Sequence, residues 1–215
     1  MDKYKETFET WNKIALLYQD KFMKLNLYND TYDFICYSIL KQNAKILEIG
    51  CGPGNITKYL LDKRPDFDIL GTDISSNMIE LAKENNPTAS FSIMDCREID
   101  NLSQKFDGIV CGFCLPYLSQ SDTLKFIKDC SKLLNENGLI YISFVEGEPS
   151  KSHFQVSSSG DRVWFNYHLL DKLEKLLFVN HFTQFKTFKI EYKKTDTAQE
   201  IHTIVTAQKL RNNNI

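Results

Sequence analysis

The sequence predicts an α/β fold: a mostly parallel, seven-stranded sheet with helices on both faces and an antiparallel pair at its C-terminal edge. Three observations predict it. From Lys45 to Val145, short apolar β-type runs alternate with helical patterns, which marks parallel βαβ units. The last third drops that alternation and closes in two further β-type runs, "TQFKTFKIEYKK" and "EIHTIVTAQK". The first strand also runs directly into a glycine-rich turn and then a helix, so the carboxyl edge of the sheet carries a ready nucleotide cradle.

Taken in order, Phe8, Trp11, Ile14, Ala15, Tyr18 and Phe22 recur at helical spacing and predict one amphipathic helix from Lys3 to about Leu25. "NLYND" breaks it, and Asp30 is positioned to cap a second helix reaching about Lys41. Lys45–Ile49 reads as a strand, Asn55–Lys63 as a helix and Asp68–Gly71 as a strand. "SSNMIELAKEN" is a helix capped by Ser75 or Ser76. "ASFSIMD" and "FDGIVCGF" are the third and fourth strands, followed by the helix "SDTLKFIKDCSKLL" with Ser121 as its cap. Asn137-Gly138 turns into the fifth strand, "LIYISFV". A polar, serine-rich, irregular insertion follows, then the helix "YHLLDKLEKLLFVNHF" and the two terminal strands; only the tail "RNNNI" is low in complexity. One domain is expected, with a helical cap at 1–43, a core at 44–145, an insertion over a substrate site at 146–168, and the last helix and edge strands at 169–210.

Composition narrows the function. The 215 residues are 42% hydrophobic and 25% charged, ordinary for a globular domain that buries a full core. A net charge of −2 without a lysine or arginine run offers no footprint for a nucleic acid. The N-terminus has no apolar signal core, and no apolar stretch approaches the roughly 20 residues of a membrane span, so a cytoplasmic protein, monomeric or homodimeric, is expected. Six cysteines lie mostly in apolar segments and suit a reducing compartment. Cys111-Gly-Phe-Cys114 has redox spacing, but it follows a strand and leads into Leu115-Pro116, and no second pair exists to complete a metal site. No metal is expected.

The turn reads Gly50-Cys51-Gly52-Pro53-Gly54, which is neither the G-x-G-x-x-G dinucleotide spacing nor a phosphate loop with its lysine. Glu48, at the end of the strand before it, would repel a pyrophosphate but suits a ligand carrying positive charge. Asp73 lies 19 residues beyond Gly54, at the end of the second strand, where an acid can accept both ribose hydroxyls. Asp95 ends the third strand, within reach of a base amino group. Ligands of open parallel sheets sit outside the carboxyl ends of the strands, so the turn and three acids converge on a ligand with a cation, a ribose and a base.

On these residues the sequence resembles the class I S-adenosylmethionine-dependent methyltransferases, from about Lys45 to Val145. "ILEIGCGPGNIT", "LGTDISSNMIELAK", "MDCREI" and "FDGIVCGFCLPYL" are similar to that family's four successive motifs, and "LLNENGLIYIS" to the stretch before its fifth strand, with Asn135 and Glu136 departing from the usual lysine and proline. The resemblance implies a Rossmann-like methyltransferase sandwich that binds S-adenosylmethionine and releases S-adenosylhomocysteine. It implies that Gly50, Cys51, Gly52 and Gly54 pass close to the methionine part, and that Glu48 organises the turn or holds the amino group through water. Asp73 would take the ribose, Ile74 and Met78 the adenine faces, and Asp95 and Cys96 the adenine edge. Cys111 would close the cavity beside the sulfonium, and Tyr18 would lie over the cofactor. The implied activity is methyl transfer to a small-molecule O, N or C nucleophile by in-line displacement. A cofactor-binding partner or scaffold without activity is the alternative, and a nucleic-acid or protein methyltransferase a further one. The acceptor pocket would draw on Trp11, Tyr117, Trp164 and His168, with Phe165 and Tyr167 beside them. His202 reads as a structural residue of an edge strand, and Glu146 and Glu148 either meet a cationic acceptor or are solvated. No residue is singled out as a catalytic base.

Overall fold

In the computed structural model, which describes residues 3–157, 160–193 and 199–210, five parallel strands form the centre of a seven-stranded sheet. They are β1 (Lys45–Ile49), β2 (Asp68–Asp73), β3 (Ser90–Ile93), β4 (Phe106–Gly112) and β5 (Leu134–Val145). Two more strands, β8 (Phe182–Lys193) and β9 (Gln199–Lys209), complete it in the order β3-β2-β1-β4-β5-β9-β8. β9 runs antiparallel to both β5 and β8, as the change of pattern in the last third predicts. The low-complexity tail lies outside the described residues. Among those residues, no helix is long and apolar enough to cross a membrane.

Alternation along β1 divides the core between two faces. Leu47 and Ile49 pack with Ile109, Phe126 and Leu177 on one side, and Ile46 packs with Ile35, Ile39 and Leu60 on the other. All three β1 residues are fully buried, as a central parallel strand covered on both faces requires. Helices α3 (Asn29–Ser38) and α4 (Asn55–Lys63) cover the second face, and α6 (Gln120–Leu133) and α7 (Leu170–Val179) the first. α5 (Ser76–Asn85) packs Ile79 and Ala82 on Cys51 and Phe91.

Several local expectations change. The front helix is two, α1 (Lys3–Lys13) and α2 (Ala15–Phe22), kinked where Ile14 takes φ −99° and ψ 17°. The two pieces answer to different partners: Thr7 and Thr10 tie α1 to the chain near Arg162 and Trp164, whereas α2 carries Tyr18 over the glycine turn. α3 starts one residue before Asp30, with no side-chain cap. It stops at Ser38 because Arg64 donates to the carbonyls of Cys36 and Ile39 and so satisfies the helix end early. Ser119, not Ser121, caps α6 by accepting the Asp122 N–H at 3.1 Å, and Ser75 caps α5 by accepting that of Met78 at 3.1 Å. The expected irregular insertion contains an antiparallel hairpin, β6 (His153–Val156) with β7 (Arg162–Phe165). β8, rather than β9, is the sheet edge, because β9 is hydrogen-bonded on both sides.

At the start of α4, Gly54 is left-handed at φ +79°, and a Cβ there would run into the Asn86 side-chain amide. Gly54→Ala should therefore cost about 1 to 2 kcal/mol of stability, read from the urea midpoint at unchanged slope.

Candidate cofactor and acceptor site

The order of the sheet reverses between β1 and β4, and the site opens there, beyond the carboxyl ends of β1 to β4. β1 runs into Gly50 at φ +69°, where a Cβ would sit 2.8 Å from Cβ of Cys114. Only glycine lets the turn pass beneath the segment after β4. The Gly50 and Cys51 N–H groups both donate to the Thr72 carbonyl, at 2.8 and 2.9 Å. The Asp73 carboxylate accepts the N–H of Gly52 at 2.9 Å and that of Ser75 at 2.9 Å, joining the glycine turn to the head of α5. Burial raises the Asp73 pKa above its ordinary value, and those backbone donors hold the rise in check.

A cleft runs from the glycine turn past Asp73 to Asp95 and Cys96, with Ile74 and Met78 on its apolar wall. Asp95 is doubly engaged: it accepts the Arg97 N–H at 2.9 Å and pairs with the Arg97 guanidinium. Burial pushes its pKa up, but Arg97 outweighs that and holds it below the usual carboxylate range. The same guanidinium lies 4.1 Å from the centre of the Tyr4 ring, so α1 is drawn over that end of the cleft.

A second cavity adjoins the first and shares Trp11, Tyr18, Gly50 and Tyr117 with it. Trp11 stands edge-on to both Tyr18 and Tyr117, with centroids 5.5 and 5.6 Å apart. Its indole N–H is buried and meets no hydrogen-bond acceptor among the described residues. Glu48 and Cys51 line the second cavity beneath the glycine turn. Glu48 accepts a hydrogen bond from the Thr57 hydroxyl of α4, and burial pushes its pKa up to about 8 against the relief that Thr57 provides.

Cys111, Gly54, Trp164, His168 and Tyr167 line neither cavity. Cys111 is fully buried in the core behind β4, and Cys114 lines the cleft in its place. Gly54 faces Asn86 and Ala82 of the α5 segment. In β7 the alternation turns Phe165 into the second cavity and Trp164 away from it, where the indole N–H donates to Asn166 at 2.9 Å. His168 is buried with its ring nitrogens beside the Leu115 carbonyl, at 3.1 Å, and the Gln120 amide; burial lowers its pKa. Tyr167 packs on Gly147, and Glu146 accepts the Leu170 N–H and pairs with Lys189. Conversely Tyr28, Phe113, Tyr192 and His202 line the second cavity although nothing in their local pattern singled them out.

The donor set fits S-adenosylmethionine. A half-buried carboxylate at Asp73 suits a vicinal diol, a thioether and an isoleucine suit the faces of a base, and the orphaned Trp11 N–H supplies a donor beside the turn. Glu48 provides an acid that a cationic ligand would ionise.

Two measurements probe these groups. Asp73→Ala should weaken S-adenosylhomocysteine binding by about 1 to 3 kcal/mol by calorimetry, the cost of a lost charge-assisted acceptor. Because the folded pKa of Glu48, about 8, exceeds the unfolded value near 4.5, the folded chain holds an extra proton between them, and this group's contribution to stability falls as pH rises through that window. A bound ammonium or sulfonium lowers that pKa again. Calorimetry at neutral pH in buffers of different ionisation enthalpy should show proton release on binding, and Glu48→Gln should abolish it.

Residues 46–138 match a family model described as a methyltransferase domain. A putative methyltransferase of Invertebrate iridescent virus 6 is 33% identical over 112 residues, covering 52% of this chain and 40% of that protein. A malonyl-[acyl-carrier protein] O-methyltransferase of Acetivibrio thermocellus is 40% identical over 72 residues, covering 33% of this chain and 25% of the relative. The chain thus spans less than half the length of these curated relatives. Among solved structures, magnesium protoporphyrin IX methyltransferase from Synechocystis, with bound S-adenosylmethionine, superposes with a TM-score of 0.71 at 16% identity, over 97% of this chain and 98% of that one. The chain therefore shares the fold of the class I S-adenosylmethionine-dependent methyltransferases, and its residues 46–138 are similar to a methyltransferase domain.

Proposed function

We propose that the chain transfers a methyl group from S-adenosylmethionine to a small-molecule acceptor. The observation that carries this reading is the adjacency of two cavities: the cleft lined by Asp73, Ile74, Met78 and Asp95 shares Trp11, Tyr18, Gly50 and Tyr117 with a separate, aromatic chamber. When bound, the cofactor supplies an activated methyl group on a sulfonium. The chain then has to bring an acceptor into line and exclude water. Tyr18, 3.5 Å from where a Gly52 Cβ would stand, covers the turn, and Trp11 and Tyr117 form the wall common to both chambers. The second cavity is lined by side chains from α2, β7, β8 and β9 and, as a concave, mostly apolar site, suits a ligand of metabolite size. The relative from Acetivibrio thermocellus is named for an acyl-carrier substrate, which agrees with a non-nucleic-acid acceptor. Six free thiols suit a reducing compartment such as the cytoplasm.

Incubating the chain with methyl-labelled S-adenosylmethionine and a metabolite extract should place label in a small-molecule fraction. Cofactor binding with no labelled product would instead make the chain a binding protein, and label in added tRNA or protein would change the acceptor class. Trp11→Ala, which opens the wall between the chambers, should lower turnover by about 10²-fold, the order expected when an acceptor is misplaced.

A further inference from the structure

Nine side chains lining the second cavity are aromatic, a lining that favours a flat, conjugated ligand. One stretch of that lining brings together a histidine, a tyrosine hydroxyl and a carboxylate. Tyr28 Oη lies 2.6 Å from Nδ1 of His202, and Nε2 of the same ring lies 3.7 Å from Oε2 of Glu200. Tyr192 stacks on the imidazole at 4.6 Å and Phe113 meets its edge at 4.7 Å, so the ring is held in one orientation. Phe113 does so at φ +56°, a left-handed conformation costly for a bulky residue, with its N–H fixed on the Ser143 hydroxyl at 2.9 Å.

We propose that Tyr28, His202 and Glu200 form a proton relay, and that the acceptor is a flat aromatic molecule whose phenolic hydroxyl meets Tyr28. The inference rests on the methyl-transfer reading and names its acceptor class. Burial keeps the Tyr28 phenol protonated far above its ordinary range, so it can donate to Nδ1 of His202, whose Nε2 faces Glu200. An acceptor O–H can then donate to Tyr28 Oη. As that O–H bond breaks, its proton passes to Tyr28 and the Tyr28 proton passes to Nδ1, leaving an imidazolium opposite the Glu200 carboxylate. The acceptor oxygen uses the freed electron pair to form the new bond to methyl, while the electrons of the donor's carbon–sulfur bond return to sulfur. Three titratable groups face the imidazole: Tyr28 at the head of α3, Tyr192 of β8 and Glu200 of β9. Lys21 and Glu48 line the same chamber.

The probe is 4-nitrophenol, whose phenolate absorbs visibly, titrated into the full chain saturated with S-adenosylhomocysteine. The bound dye should be more ionised than free dye at the same pH. His202→Gln and Tyr28→Phe should bind it yet lower its ionisation constant about tenfold or more, the factor carried by one pKa unit. Glu200→Gln, a milder change nearer the surface, should lower it in the same direction, which guards against a core variant that misfolds. Equal ionisation of the bound dye in wild type and all three variants overturns the relay. Failure of the dye to bind the cofactor-loaded chain overturns the phenolic acceptor class. Failure of S-adenosylhomocysteine to bind at all would instead overturn the methyl-transfer reading.

Discussion

Asp73 holds three elements together with one side chain. It ends β2, accepts Gly52 from the turn after β1, and accepts Ser75 at the head of α5. A carboxylate drawn partly out of water is tolerable only when such donors replace its lost hydration, and these two are backbone groups that cannot move without moving the sheet. The path of the glycine turn follows from that clamp, and so does the position of Met78, one turn into the helix that Ser75 caps. Gly50 answers the same constraint from the other side, because Cys114 closes down on it where any Cβ would collide.

The cover over this cleft is made by partners distant in sequence. α1 lies along β7: Thr10 donates to the Arg162 carbonyl at 2.9 Å, and the Trp164 N–H donates to the Thr7 hydroxyl at 2.9 Å. Glu6 pairs with Arg162 and Lys13 with Asp161 at the solvent edge, where ion pairs add little individually. The hairpin thereby fixes the helix that brings Tyr4 and Trp11 to the cavities. Trp164, expected in the acceptor pocket from its place in the insertion, belongs to this fastening, with the Lys3 ammonium 3.4 Å over its ring.

The two ends of the site differ in how far their residues could be read. Gly50, Gly52, Asp73, Ile74, Met78, Asp95 and Cys96 all line the first cleft. They sit within a few residues of strand ends, where the fold itself determines what faces the ligand. The second cavity was legible only in part. Trp11 and Tyr117 line it, but Tyr28, Tyr192 and His202 come from the head of α3, the sheet edge and β9, and no local spacing links positions 28, 192 and 202. For Phe165 a signal was available, since period-two alternation in "RVWF" sets it on the face opposite Trp164.

By itself the sequence determined the parallel core, the reversal of direction in the last third, the glycine turn and the acids at the strand ends. Those follow from periodicity and from motifs in which neighbouring residues act together, so the information is local. Only the tertiary structure decided that Cys114 rather than Cys111 meets the cleft, that His168 is buried against Leu115, and that His202 lies on an inner strand facing the aromatic chamber. The physical reason is that these outcomes depend on which strands pair and which loops close over them. Pairing of β9 between β5 and β8 is decided by the burial of whole faces, a sum over many side chains that no short stretch encodes.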